Sequence, residues 1–339
     1  MQRLKRQIHT EMTCGHHREE RDQRMTHMSV SGKGRNLRPR HRFDDYKLFL
    51  LAFPVIALVI LFRYVPLWGW SFAFFQYKPG RALLDCKFVG WDNFTFLFKN
   101  VVMRRNLFRV LQNTFSIQVI GYLFTPLPML FAIFLSEMHS RKYQKLVQTV
   151  TTLPNFIGWV IIYSLVNSLF SSRGLMTVVL QQLGLMAPGY NLMSSDDHVW
   201  LRMVLLQQWK GLGWSAIVYF AAITGIGQEL YEAAMVDGAS RMQRIWHITI
   251  PMLIPTYFVL LVMSIGNFLN SGVDQYLAFC NALNKEYIEV LDLYVYNLGI
   301  GSGQISFSVA VGIMKSAVAL ILFSSANYTS RKVRGVSMF

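Results

Sequence analysis

Long apolar runs separated by short polar segments make up the chain after residue 46. They fall at about 48–70, 107–135, 146–170, 199–224, 252–270 and 307–326. Each is close to or above the ~20 residues that a helix needs to cross a bilayer. Because a backbone in lipid must satisfy its own hydrogen bonds, we predict one helix for each run. The expected fold class is an all-α membrane protein with six transmembrane helices.

Proline and glycine mark interruptions in this pattern. Pro154 and Gly158 predict that the third run is kinked or broken near its middle. Between the runs, the pattern predicts a short interfacial helix at 89–98 and a surface helix at 286–298, both on the outer side.

Composition and charge agree with a membrane protein. Hydrophobic residues make up 53% of the 339 positions and charged residues only 15%, which is too apolar for a soluble chain of this length. The net charge of +15 comes mainly from the N-terminus, short loops and the C-terminal end. That distribution predicts cytoplasmic termini and contact with membrane lipid, and it argues against nucleic acid. Four basic residues oppose the trend, in a segment predicted to lie outside: Lys78, Arg81, Lys87 and Lys99.

The N-terminal residues 1–46 are polar and basic and show no apolar periodicity. We expect a disordered cytoplasmic tail there and a transmembrane domain at 47–339, whose first helix serves as an uncleaved anchor. Cys14, Cys86 and Cys280 have no metal-like or redox-like spacing. One bridge between Cys86 and Cys280 is conceivable, since both are predicted outside, but two unrelated thiols are the favoured interpretation.

No motif for catalysis within the chain stands out. The Gly32-Lys33-Gly34 stretch lacks the glycine loop, the following Ser or Thr and the preceding strand of a phosphate-binding loop. No HExxH helix or Ser/His/Asp arrangement is present either. We therefore expect no catalytic residue, no metal site and no cofactor in this chain, and energy for any work must come from a partner.

The segment 229–251 is the longest polar interruption in the apolar second half of the chain. Residues 229–236 are mostly helix formers, Asp237-Gly238 is a stop signal, and a second helix is expected to start before Pro251. The pattern predicts helix, turn, helix. Small side chains at Ala233, Ala234 and Ala239 would let another surface come close.

This segment resembles the cytoplasmic EAA loop of ABC-importer permeases, departing only at Ile250, where the family usually has Leu. The positions that carry the resemblance are Glu232, Ala233, Ala234, Asp237, Gly238 and Ala239. The resemblance implies the type I ABC-importer permease fold and a coupling helix that docks on an ATPase subunit. It also implies that ATP and Mg²⁺ bind to two partner ATPase subunits. An ordinary amphipathic loop is the alternative interpretation.

Polar and aromatic residues inside the apolar runs are candidates for a translocation path, because lipid disfavours them. The candidates are Trp159, Tyr163, Asn167, Gln207, Gln208, Trp209, Lys210, Asn267, Asn270, Asp274, Gln275 and Tyr276. This mixture of rings, amides and a carboxylate suits a saccharide. For Lys210, contact with an anionic or hydroxyl-rich substrate and pairing with backbone carbonyls or an acid are equally favoured. For Lys315, pairing within the protein is favoured.

Five further segments resemble the sugar-permease branch of these importers, and more closely the subgroup for polysaccharide-derived and uronate-containing oligosaccharides. They are Trp91-Asp92-Asn93-Phe94, Leu153 to Trp159, Trp209 to Trp214, Val273-Asp274-Gln275 and Ser337-Met338-Phe339. The resemblance implies a bacterial cell-membrane importer with a second, different permease and an extracytoplasmic sugar-binding protein. The alternatives are another solute for the same kind of importer, or an ATP-independent secondary transporter, which would need a buried acid that the runs lack.

Overall fold

The computed structural model describes residues 42–185, 191, 193, 195 and 197–334. The chain divides into a unit that ends at Leu67 and a second unit from Trp68 onward. Residues 1–41 of the predicted tail and 335–339, including the segment Ser337-Met338-Phe339, lie outside the described residues. Residues 42–46, which the sequence placed in the tail, instead begin the first helix, because they lead directly into an apolar helical run.

The first half of the chain consists of helices joined by short turns. They are α1 (Arg42–Val59), α2 (Asp92–Lys99), α3 (Val101–Leu123), α4 (Leu127–Ser136), α5 (Arg141–Thr152), α6 (Trp159–Phe170) and α7 (Leu175–Gln182). A π-helical turn, Ile60–Tyr64, and a 3-10 helix, Val65–Phe74, continue α1. The helix predicted at 89–98 is confirmed as α2, while its interfacial location stays a prediction. The Asn100 side chain caps α3 by accepting from the N–H groups of Val102 and Met103.

The second half contains the longest helices. They are α8 (Val199–Thr224), α9 (Gln228–Val236), α10 (Arg241–Arg244), α11 (Ile250–Gly266), α12 (Asp274–Phe279), α13 (Lys285–Ile288), α14 (Leu291–Tyr296) and α15 (Ile305–Arg334). π-helical turns at Ile245–Thr249 and Asn297–Gly301 lead into or out of neighbouring helices. Within the described residues, the one strand-type pairing is an isolated bridge between Phe75 and Phe88.

Four stretches of the described chain are long and apolar enough to cross a membrane. They are Phe49–Phe74, Val101–Ser136, Arg241–Gly266 and Ile305–Tyr328. A fifth candidate joins Arg141–Phe156 to Trp159–Gln182 through a bend of 105°, which confirms the break expected near Pro154 and Gly158. Helix α8 is long enough to span at 26 residues, but Gln207, Gln208 and Lys210 make its centre polar. The count of six spans therefore stays a prediction.

Three core clusters follow one another through the second unit. One joins α4, α8 and α11 through Ile133, Tyr219 and Leu253, next to the 229–251 segment. A second lies around Tyr276 and Val204, and a third joins α2, α3, α14 and α15 around Leu97 and Val311. The loop at 229–251 and the segments at 75–100 and 285–304 therefore lie at opposite ends of the helices.

The segment predicted as a surface helix at 286–298 is instead two short helices, α13 and α14, and much of it is buried. The prediction was wrong because the charges of the segment are neutralised inside the protein. The Glu289 carboxylate accepts from Arg109 Nη2 at 2.7 Å and from Asn297 Nδ2 at 3.0 Å. Asp292 pairs with Lys315 and also accepts from the Gly272 N–H at 3.0 Å. These pairs join 285–301 to α3 and α15, and Lys315 takes the favoured structural role.

Both described cysteines, Cys86 and Cys280, are free thiols. Two unrelated thiols were the favoured interpretation, and the structure confirms it. Burial, together with the negative charge of Glu289, raises the pKa of Cys280, so its thiol is held in the neutral form.

Gly213 marks the closest backbone approach between α8 and the end of α5. A Cβ atom there would lie 2.4 Å from the carbonyl carbon and oxygen of Thr151. We expect Gly213→Ala to lower the stability of the protein by about 1–3 kcal/mol, because a rigid backbone would have to move. The measurement is the thermal unfolding midpoint of the purified protein in detergent.

Gly211 provides the matched control on the same helix, since a Cβ atom there would meet nothing within 4 Å. Gly211→Ala should leave the midpoint unchanged or raise it slightly, as alanine is favoured over glycine inside a helix. Equal midpoints for the two variants would contradict the close packing of α5 on α8.

Candidate functional site

The helix, turn, helix predicted for 229–251 is confirmed, and its turn has a defined geometry. Gly238 adopts φ +80°, a conformation that glycine reaches without strain. The Ala239 N–H donates to the Ala234 carbonyl at 2.9 Å and the Gly238 N–H to the Met235 carbonyl at 3.1 Å, which is the Schellman ending of a helix. Ser240 and Gln243 then form a capping box that starts α10.

Several large apolar side chains of this loop are exposed. Val236 is 88% exposed, Trp246 is 61% exposed, and Leu230, Met235 and Met242 are exposed as well. The carboxylates of Glu232 and Asp237 lie on exposed positions beside them. Of the small residues, Ala234 and Ala239 turn partly inward, while Ala233 and Gly238 remain exposed. Several exposed large apolar side chains with charged residues close by in sequence are what a contact surface for another protein requires.

Lys210 binds the broken helix at 153–157. Its Nζ donates to the carbonyls of Asn155 and Ile157 at 2.8 Å and of Pro154 at 3.1 Å. All three N–H bonds of the ammonium group are thus directed at carbonyls of the break, where regular helical hydrogen bonding is interrupted. The Pro154 carbonyl also accepts from the Ile157 N–H at 3.2 Å. The ammonium also lies 5.4 Å from the centre of the Trp159 ring. These contacts favour the structural interpretation of Lys210.

The predicted residues of α6 lie against α12. The rings of Trp159 and Tyr163 pack on Phe279 with centroids 6.4 and 5.1 Å apart, both edge to face. Asn167, one turn further along α6, is half-buried. The structure therefore brings Trp159 and Tyr163 together with Lys210 in one place.

The predicted residues around α12 are divided between the surface and the core. Tyr276 is 0% exposed, and its hydroxyl has no hydrogen-bond partner among the described residues. Gln275 is buried beside it and donates to the Met203 carbonyl at 2.8 Å. Asp274 is exposed, as are Asn267 and Asn270, whose side chains hydrogen-bond to each other at 3.2 Å. In this structure Gln275 and Tyr276 are buried and pack in the core, and their place on a substrate path stays a prediction.

The four consecutive polar residues of α8 do not form one site. Successive residues of a helix point about 100° apart, so residues 207–210 surround the helix. Gln207 and Trp209 are exposed, Lys210 faces the broken helix, and Gln208 lines a cavity of about 330 Å³. The cavity is also lined by aromatic and hydroxyl groups of α8, of α11 and of the turn between α3 and α4. They come from Thr125, Trp214, Ser215, Tyr219, Tyr257 and Ser264.

Sequence reasoning missed the residues that complete this cavity and the exposed apolar residues of the 229–251 loop. Tyr257 and Thr125 hydrogen-bond to each other through their hydroxyls at 2.9 Å, although they are separated by 132 positions. No local pattern indicates such a pair. Trp214 lies within a segment that the sequence analysis singles out, and Val236 and Trp246 lie within the 229–251 loop, where large apolar residues in a polar segment were the available signal.

The described residues form helices joined by turns, and several stretches are long and apolar enough to span a membrane. These features define an integral membrane protein of the all-α class. The model of the family described as "binding-protein-dependent transport system inner membrane component" matches residues 125–335. The chain belongs to this family, and it is a multi-pass membrane protein.

Relatives cover nearly the whole chain. It is 36% identical to Protein LplB of Bacillus subtilis strain 168 over 313 residues, which are 91% of this chain and 96% of that protein. It is 37% identical over 288 residues to the polygalacturonan/rhamnogalacturonan transport system permease protein YteP of the same organism, covering 84% and 88% of the two chains.

Solved structures share the fold. A chain of a bacterial alginate ABC transporter, in complex with a periplasmic protein that holds an alginate pentasaccharide, superposes with a TM-score of 0.77 at 32% identity. The match covers 87% of this chain and 97% of that one. A second structure, of a bacterial ABC transporter that imports the acidic polysaccharide alginate, gives a TM-score of 0.75. The fold is therefore that of an ABC-importer permease.

The carbonyl contacts of Lys210 lead to a stability prediction. Lys210→Met removes the ammonium and leaves three carbonyls without this donor, so we expect a loss of about 1–2 kcal/mol and a lower thermal midpoint. Lys145→Met is the control, because Lys145 is exposed on α5. An unchanged midpoint, together with weaker stimulation of ATP hydrolysis by the transported solute, would instead support contact between Lys210 and that solute.

Proposed function

We propose that this chain is the permease subunit of an ATP-driven importer and forms half of the membrane pathway for an oligosaccharide derived from a polysaccharide. A second, different permease would supply the other half, and an extracytoplasmic binding protein would deliver the sugar. The names of the relatives support the substrate class, since one transports polygalacturonan or rhamnogalacturonan and the solved structures concern alginate. Both termini and the 229–251 loop lie in the cytoplasm in this proposal.

The exposed apolar side chains of the 229–251 loop carry the proposal of ATPase coupling. Val236, Met235 and Trp246 expose apolar surface to water, which is unfavourable, at the end of the helices opposite α14. A groove on an ATPase subunit would bury these side chains, with Glu232 and Asp237 at its rim. ATP and Mg²⁺ would bind to that partner, and no group of side chains in the described part of this chain is arranged to hold a metal ion.

Val236→Asp tests the docking surface. An unpaired carboxylate buried in the interface costs more than ~1.4 kcal/mol, so we expect at least a tenfold loss of ATPase retention and of uptake. The measurements are co-purification of the ATPase subunits and substrate-stimulated ATP hydrolysis in proteoliposomes.

Glu232→Ala and Gly238→Pro should also leave the protein in the membrane but uncouple it from ATP hydrolysis. For Gly238→Pro the reason is that proline cannot adopt φ +80°.

Val102→Asp provides the control for this experiment. Val102 is similarly exposed but lies in the first turn of α3, at the other end of the molecule, where a negative charge is tolerated. Full ATPase retention by Val236→Asp, or an equal loss in Val102→Asp, would rule out docking through this loop.

The cavity beside Gln208 is the proposed contact site for the sugar. Its volume of about 330 Å³ falls within the range of small-molecule pockets, about 300–1,000 Å³. Rings such as Trp214 and Tyr257 can stack on the C–H face of a pyranose, while the Gln208 amide and the Ser264 hydroxyl can bond to its hydroxyl groups.

Gln208→Ala is expected to raise the half-saturating concentration of sugar for uptake about three- to tenfold, because one or two hydrogen bonds are lost. Gln207→Ala, the neighbouring exposed amide, should have no such effect. Uptake is measured in the reconstituted importer with polysaccharide-derived oligosaccharides, peptides and polyamines. Stimulation by a peptide or polyamine alone would overturn the sugar assignment, and uptake without any ATPase would overturn the importer itself.

A further inference from the structure

The side chain of Tyr231 joins the coupling helix to the base of a membrane helix. Its hydroxyl lies 3.0 Å from the Thr249 hydroxyl, within hydrogen-bond distance. Thr249 is only 2% exposed, and Tyr231 is half-buried. Among the described residues, this is the one hydrogen bond from a side chain of α9 to another helical element.

Helix α9 has little else to hold it in place. It is nine residues long, none of its residues is buried, and a helix this short is marginal by itself. Ala234, one turn after Tyr231, is the other residue on its inward side. The remaining connections are the chain at 225–227 and the turn at Gly238, and a glycine with positive φ allows bending.

Thr249 lies where the regular membrane helix begins. It ends the π-helical turn Ile245–Thr249, and α11 starts at the next residue. Pro251 and Pro255 lack the N–H that would bond to the preceding turn, so this part of the helix has fewer backbone hydrogen bonds than a regular one. Irregular turns of this kind are where helices pivot.

Movement at this base would reach the other membrane helices. Leu253, one turn after Thr249, is fully buried and packs in a cluster with Ile133 of α4 and Tyr219 of α8. Tightly packed side chains move together and are not compressed, so a displacement of Thr249 displaces all three helices.

We propose that the Tyr231–Thr249 hydroxyl pair is a positioning contact that transmits motion of the coupling helix to α11. The inference rests on the proposed function, because it requires an ATPase that moves α9. Without the contact, closure of the ATPase subunits would bend the turn at Gly238, and ATP would be hydrolysed with less transport. Neither residue touches substrate or nucleotide.

The test uses the complete importer in proteoliposomes, with its partner permease, ATPase subunits and binding protein. The quantity measured is sugar taken up per ATP hydrolysed. We expect Tyr231→Phe and Thr249→Val each to lower this ratio about two- to tenfold, the range for loss of one hydrogen bond. Thr249→Ser keeps a hydroxyl and should restore the ratio, and the double variant should be no worse than either single variant.

Tyr143→Phe is the matched control, since Tyr143 is an exposed tyrosine on α5. An unchanged ratio in both single variants, effects that multiply in the double variant, or failure of Thr249→Ser to rescue would each overturn the proposal. The proposal would also be overturned if the ATPase subunits no longer co-purified with the Thr249→Val variant. The contact would then serve only to maintain the folded structure of the loop. A wild-type complex without ATP-dependent uptake would instead defeat the proposed function.

Discussion

Polar groups in apolar surroundings need partners, and the arrangement of this protein depends on how that need is met. Lys210 supplies three donors to carbonyls at the break between α5 and α6. Glu289 and Asp292 meet Arg109 and Lys315 across helices that are far apart in sequence. Each of these charges would be costly alone, whereas paired charges hold irregular backbone segments at defined positions between the long helices.

The same constraint gives the two ends of the second unit different surfaces. At one end, paired charges draw the 285–301 segment inward, so that its short helices pack as part of the core. At the other end, the loop at 229–251 leaves apolar side chains such as Val236 in water. Exposed apolar side chains on a backbone with ordered helices and caps are suited to binding by a partner protein.

Between these ends, the cavity near Gln208 combines rings and hydroxyl groups from elements that meet only in the folded protein. The substrate candidates chosen from sequence are distributed over four places: the α6 and α12 contact, the surface near Asn267, the exposed side of α8 at Gln207 and Trp209, and this cavity. Periodicity predicts which residues share a face of one helix. It does not predict which faces meet, and for that reason Tyr257 and Thr125 could not be recognised as neighbours.

The sequence by itself determined the all-α membrane class, the break near Pro154, and the turn at Gly238, because hydrophobic run length, proline and a glycine stop act over a few residues. The order of residues in 229–251 also indicated the protein family, which the family match confirms. The tertiary structure alone decided that Lys210 binds carbonyls, that 286–298 is buried, and that Tyr231 meets Thr249. These outcomes depend on contacts between distant segments, where the partner and not the local pattern fixes the position of a side chain.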